Sequence, residues 1–493
     1  MADAPDRIAL APGLNISRIV TGLWQVADME RNGEPLDREA ASMGLLEYAR
    51  AGFDAFDMAD HYGSAELIAG RFLARVAAGE ASGAHRPVAL TKWCPTPGPM
   101  TTEVVRAGVE RSLRRLGVAT IDLLQLHWWS FEHLAYLDAM KELDKLKREG
   151  LIRRLGVTNF DTAHLRVVVK HGVEIVSNQV CFSLLDRRAA GEMSAFCLEH
   201  GVRLLAYGTL AGGLLTQRWL GRPEPAGDEI NDWSKMKYKR FVDAAGGWPA
   251  LQAILTALDR VARRKSVSIA NVATRWTLEQ PPVAAAIVGA RLGERRHTDD
   301  NLKVFSFALD ADDRALIDEA LAKTTPLPSD CGDEYRKAPF LTASGDLSHH
   351  LESTPRVYQA TPVEGRPGRL RVSSGSAFEP IAGYSRAVRV GNRVLVSGTT
   401  ATNGPDEIVC RGDPAAQTTF ILDKIAASLA ALGASLEDVV RTRVYLRDAG
   451  QWEAVARAHG RYFGATRPAN TMLQIARFIG DYEVEIEAEA VVD

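Results

Sequence analysis

At 493 residues the sequence is too long for one ordinary hydrophobic core, so at least two domains are expected. Hydrophobic residues make up 46% and charged residues 25%, values of a globular chain rather than a disordered or collagen-like one. Lys plus Arg number 59 against 62 Asp plus Glu, a formal charge of -3, which argues against a nucleic-acid partner or an anionic membrane surface.

The opening stretch MADAPDRIAL lacks the basic, then apolar, then small-residue order of a secretory signal. No apolar run reaches the length of a bilayer span, and a cytoplasmic protein is expected. Cys94, Cys181, Cys197, Cys331 and Cys410 are scattered, without the paired spacing of a zinc site or a disulfide framework, so inert thiols and no metal are expected.

To about residue 310, short β-type runs alternate with amphipathic helical stretches, the pattern of a parallel sheet with crossover helices. The candidate strands are IVTGLW, DAFDMAD, VALTKW, DLLQLH, IRRLGVTN, EIVSNQV, VRLLAYG and AAAIVGA. Between them lie helical stretches such as REAASMGLLEYARAG and TEVVRAGVERSLRRLG, each closed by a glycine. Repeated strand–helix units predict an α/β fold of the (β/α)8 TIM-barrel type, with a doubly wound sheet as the alternative. Asp57, Lys92 and His127 end successive strands, where a barrel places its chemistry, and Tyr62 follows in the loop DMADHY.

On these residues the sequence resembles the aldo-keto reductase superfamily over roughly residues 6 to 350, with Met58 standing where the family's Asp-Thr-Ala-x-x-Tyr element has threonine. The resemblance implies an NADP(H)-dependent oxidoreductase that interconverts an aldehyde or ketone and an alcohol. Tyr62 would donate the proton, Lys92 held by Asp57 would favour the phenolate, and His127 would orient the carbonyl.

It also implies cofactor contacts from Thr21, Trp24, Thr158, Asn159, Gln179, Tyr207, Leu210, Gly212, Gly289, Arg291, Arg295 and Asn301. Thr158, Asn159 and Gln179 fall at the family's carboxamide contacts and Tyr207 where a ring stacks on nicotinamide. IVGARLGERRHTDDN resembles the segment that grips the adenosine 2′-phosphate, two residues longer than usual, which leaves the register of Arg291, Arg295, Arg296 and His297 open. No G-x-G-x-x-G follows the first strand, as a Rossmann site would require. Trp93 and Trp128, with Trp24, are expected as aromatic pocket walls. The loop from about Gln217 to Trp248 and the tail CGDEYRKAPFLTASGDLSHH are expected over the mouth.

After Leu351 the proline- and glycine-rich stretch ESTPRVYQATPVEGRPGRL reads as a linker, giving a barrel with its tail over 1–351, a linker over 352–369 and a smaller α+β domain over 370–493. GYSRAV, VSGTTA, RPANTMLQIARF and VEIEAEAVV together resemble the Rid family, also called YjgF or endoribonuclease L-PSP, of chorismate mutase-like fold. The resemblance implies a homo-oligomer, a trimer or hexamer formed through this domain, with a cleft at Tyr384, Ser397 and Glu485. Active deaminases of that family carry arginine where this chain has Asn470, so imino acid recognition is expected to be lost. The remaining alternatives are a redox-sensing nucleotide-binding protein and a bifunctional enzyme that couples imine hydrolysis to carbonyl reduction.

Overall fold

The computed structural model describes residues 4–26, 36–226, 229–230, 233–292, 297–337, 340 and 354–493. A hairpin of β1 (Arg7–Ala11) and β2 (Leu14–Ser17) comes first and packs Leu10, Leu14 and Ile16 against the barrel interior. Then β3 (Ile19–Gly22), β4 (Ala55–Asp57), β5 (Val88–Trp93), β6 (Ile121–His127), β7 (Ile152–Thr158), β8 (Ser177–Cys181), β9 (Arg203–Tyr207) and β10 (Val283–Gly289) close in that order into a parallel barrel. Each expected strand is present, and β10 pairs with both β9 and β3.

The helices form where apolar stripes meet good caps. α1 (Arg38–Arg50) starts on Asp37, whose carboxylate accepts two backbone N–H groups, and α2 (Ala65–Ala77) follows β4. α3 (Thr102–Leu116) starts on Thr101 and stops at Gly117, which takes φ 66°. α4 (Tyr136–Arg148) and α5 (Thr162–Lys170) follow β6 and β7. The stretch after β9, expected as a loop, instead contains α7 (Trp233–Ala244), after α6 (Glu192–His200).

The C-terminal domain is a seven-stranded mixed sheet, in the order β11 (Ala360–Pro362), β12 (Arg369–Val372), β13 (Ala387–Val390), β14 (Arg393–Thr400), β19 (Val484–Val491), β17 (Val439–Leu446) and β18 (Ala469–Gln474). A separate ribbon pairs β15 (Thr402–Asn403) with β16 (Glu407–Ile408). Residues of the expected linker thus supply β11 and the start of β12. Helices Pro414–Ala431 and Trp452–Phe463 cover one face. The alternating burial of β19, with Val484, Ile486, Ala488 and Ala490 buried and Glu485, Glu487 and Glu489 partly exposed, shows that the other face is open. No helix among the described residues is long and apolar enough to cross a membrane.

The two domains meet along α5. Asp423 of the long helix accepts from His164 Nε2 at 3.1 Å, and Arg166 pairs with Asp413 at 2.8 Å. At the next turn His171 reaches Glu407 at 3.2 Å, and Lys141 on α4 reaches the same carboxylate at 2.5 Å.

Candidate active site

Successive side chains of a strand point to opposite faces, so each strand offers the barrel axis every second residue. In β5 Leu90 packs inside the barrel with Val20, Ala55, Leu123, Leu205 and Ala285, and Lys92 shares its phase. The same phase carries Asp57, His127, Thr158, Gln179, Tyr207 and Gly289 to the mouth, where all of them line one cavity of about 640 Å³. Tyr62 enters from the turn after β4, its ring 4.9 Å from that of Trp24.

At the floor Lys92 Nζ donates to Asp57 Oδ1 at 2.9 Å and Oδ2 at 2.7 Å, and to the Met58 carbonyl at 2.9 Å. Burial lowers the Lys92 pKa, and the Asp57 carboxylate opposes that shift. Nζ lies 4.9 Å from the centre of the Tyr62 ring. Gln179 Nε2 donates to Asp57 Oδ1 at 2.7 Å, so that carboxylate is held from two strands at once.

His127 sits opposite, its pKa held well below the ordinary histidine value by burial and then by the charges of His61, Arg336, Lys92 and Lys237. Its ring is therefore neutral at pH 7. Asn159, at φ 56°, joins it to the next residue of the wall: Tyr207 O–H donates to Asn159 Oδ1 at 2.8 Å, and Asn159 Nδ2 lies 3.3 Å from His127 Nε2.

Three expected contacts lie on the opposite phase and do not line the cavity. Thr21 pairs beside Phe56 and is buried in the outer layer. Trp93 turns outward onto α3, where a Cβ on Gly108 would come within 2.3 Å of its Nε1, so only glycine fits there. Trp128 is fully buried and donates its indole N–H to the His133 carbonyl at 3.0 Å. The aromatic wall is made by Trp24, Trp129 and Tyr335 instead. Parity against His127 was the signal for Trp129; Tyr335 arrives from the tail and carried no local signal.

Lys237 of α7 was also missed. Its Nζ donates to Tyr335 O–H at 2.7 Å and lies 5.0 Å from the Tyr207 ring centre. Burial disfavours its charge, yet Tyr335 and Glu334 outweigh burial and leave its pKa raised.

Away from Asp57, Tyr62, Lys92 and His127 the cavity runs past Leu210, Gly212 and Ser268 to Arg291, His297 and Asn301. Arg291 Nε donates to Gln25 Oε1 at 2.9 Å. Arg295 and Arg296 lie outside the described residues, as does most of the tail beyond Lys337. The lining suits a nicotinamide dinucleotide: an aromatic ring at Tyr207, small residues beyond it, basic groups at the far end, and a buried Thr158 hydroxyl without a hydrogen-bond partner among the described residues.

In the C-terminal domain Tyr384, Ser397 and Glu485 gather around Arg386, a buried cation absent from the expectation. Arg386 Nη1 donates to the carbonyls of Ser397 at 3.2 Å and Gly398 at 2.7 Å, and Nη2 reaches Tyr384 O–H at 3.3 Å. Glu485 stands so close to Gly398 that a Cβ there would lie 2.0 Å from its Oε1. Asn470 does not join them. It pairs with buried Thr442 in register, and its Nδ2 donates to Thr442 Oγ1 at 2.9 Å on the helix-covered face. Thr442 Oγ1 in turn meets His459 Nε2 at 3.0 Å.

Residues 18–322 match the Aldo/keto reductase family. The chain belongs to that family. Membership makes it an oxidoreductase by class, and residues 374–492 match a second family, Endoribonuclease L-PSP. Over 331 residues the chain is 27% identical to the NADH-specific methylglyoxal reductase of Escherichia coli, covering 62% of this chain and 95% of that protein. A glycerol dehydrogenase of Gluconobacter oxydans shares its fold at a TM-score of 0.52 and 25% identity, over 67% of this chain and 98% of the other. The C-terminal domain is 35% identical over 114 residues to a RutC family protein of Pyrococcus abyssi, covering 23% of this chain and 90% of that one.

Proposed function

We propose that this aldo-keto reductase uses NADP(H) to interconvert a small aldehyde or ketone and its alcohol, with Tyr62 as acid and base. The observation that carries the reading is the convergence of Tyr62, the Lys92–Asp57 pair and neutral His127 on one cavity wall. A nicotinamide dinucleotide supplies or accepts the hydride when bound. The chain's own residues handle charge and protons.

Reduction of a carbonyl builds negative charge on its oxygen, and an ordinary phenol holds its proton too tightly to relieve it quickly. The Lys92 ammonium beside Tyr62 stabilises the phenolate left behind, and the paired Asp57 keeps that ammonium in place. Because His127 is neutral, it offers a ring N–H to the carbonyl oxygen without releasing a proton into the site. In the oxidative direction the Tyr62 phenolate takes the alcohol proton.

Arg291, His297 and Asn301 support a phosphate at the far end of the cavity, which favours NADP(H). Trp24, Trp129 and Tyr335 suit a compact carbonyl compound with an apolar face. The C-terminal domain serves assembly: its open sheet face exposes Leu395 and Leu473 among the Arg443, Glu487 and Glu489 ion pairs, a surface suited to a second copy.

The test follows absorbance of reduced nicotinamide while the purified chain meets a panel of aldehydes and ketones. Carbonyl-dependent oxidation of NADPH is expected. Tight nucleotide binding without turnover of any carbonyl would refute the enzyme reading.

A further inference from the structure

We propose that the C-terminal domain completes the barrel's substrate pocket, with Arg461 as a positioning residue that holds the turn 329–336 and so sets Tyr335 over the mouth. The inference rests on the reductase reading of the cavity, because Tyr335 is part of its wall.

The turn is costly to hold. Ser329 takes φ 68° and Gly332 takes φ 81°, and at Gly332 a Cβ would lie 2.1 Å from the Asn159 carbonyl. Its backbone therefore presses directly on a cavity residue, and external ties must fix it. On the barrel side, Arg336 donates to the carbonyls of Asn159 and Trp128 at 2.7 Å each, and Arg188 pairs with Glu334 at 3.0 Å.

A further tie comes from the other domain. Arg461, on the helix Trp452–Phe463, donates to Asp330 Oδ2, the oxygen that also accepts the Thr162 N–H at 2.9 Å. Asp330 Oδ1 accepts the Cys331 N–H at 2.7 Å, and the Asp330 N–H donates to Asp333 Oδ2 at 3.0 Å. One carboxylate thus binds the turn to the start of α5 and to the C-terminal domain together. Tyr335, five residues on, meets Lys237 and the Tyr207 hydroxyl. Without the guanidinium, the Asp330 carboxylate keeps only backbone donors among the described residues, Arg188 still donates to the Asp330 carbonyl at 3.0 Å, and the turn loses the one link across the domains seen among those residues.

The full-length Arg461→Met and Arg461→Lys chains test this. In Arg461→Met the carbonyl KM is expected to rise about tenfold with kcat and dinucleotide affinity little changed, since a wall residue moves and the reacting groups do not. Backbone amides of 330–336 are expected to exchange hydrogen faster while those of β4 to β6 do not. Arg461→Lys should recover much of the KM. Unchanged exchange and KM in Arg461→Met would overturn the proposal, as would loss of dinucleotide affinity in step with KM, which would mean a loosened barrel. The exchange measurement stands apart from catalysis: faster exchange in a chain whose wild type turns over no carbonyl supports the positioning role and refutes only the reductase reading.

Discussion

The barrel and the C-terminal sheet each carry a set of residues that motif spacing groups together, and they treat those sets differently. In the barrel, Asp57, Lys92, His127, Thr158, Gln179 and Tyr207 share one phase and meet at one axis. In the sheet, Glu485 projects from the open face and Asn470 lies on the face covered by helices. A closed parallel barrel has one inside, so residues of like phase converge. An open sheet has two faces, and a single register step decides which one a residue joins.

The strongest test of the barrel half removes one hydroxyl. Tyr62→Phe keeps the ring beside Trp24 and removes the proton donor, so kcat should fall by about 10²- to 10⁴-fold with dinucleotide binding retained. Steady-state kinetics and nucleotide titration decide it, and near-normal turnover would end the claim that convergence in the barrel is functional.

A second test addresses the seam where the two regions join. His164 lies stacked on Phe131, between Asp161 at 2.7 Å and Asp423 at 3.1 Å, and Tyr462 O–H donates to the other oxygen of Asp423 at 2.6 Å. Burial disfavours its charge, but Asp161 and then Asp423 prevail and hold its pKa at about 9. Asp423→Ala leaves a buried cation half-paired and should cost about 3 to 5 kcal/mol in denaturant unfolding.

The sign with pH follows from the same shift. The folded value exceeds the ordinary histidine value of about 6.5, so the stabilisation is full below that pH and is lost as pH rises through about 9. Thermal midpoints of the wild type should therefore fall between pH 7 and 10 more steeply than those of His164→Asn. Parallel curves would show that the seam does not depend on this charge.

Smaller effects concern the ends of each set. Arg291→Ala should weaken NADPH more than NADH by about 1 to 3 kcal/mol, measured by titration of both nucleotides. Equal weakening would place the 2′-phosphate elsewhere. The smallest expected change is in the sheet. The intact chain should show little 2-iminopropionate hydrolysis, and Asn470→Arg should add little, because position 470 faces Thr442 and His459 rather than Glu485. A large gain of imine hydrolysis would show that the long arginine side chain reaches the cleft and that the sheet half also converges.

Much of this was legible in the chain. Short apolar runs marked the barrel strands, glycines closed the helices, and the strand ends displayed Asp57, Lys92 and His127, because strands buried on both faces and helix periodicity are local properties of sequence. Local pattern also contained the parity that separates Trp129 from Trp93 and Trp128, since each is counted from an inward strand residue, Lys92 or His127. The sequence could not reveal that residues 360–362 pair in a sheet, because their composition is that of a linker and pairing depends on a partner strand distant in the chain. Nor could it place Tyr335 and Lys237 at one mouth, with Arg461 tied to the turn that carries Tyr335. Those three come from a tail, a helix after β9 and a separate domain, and only long-range packing brings such segments together; their charges become meaningful once burial removes the water that would screen them.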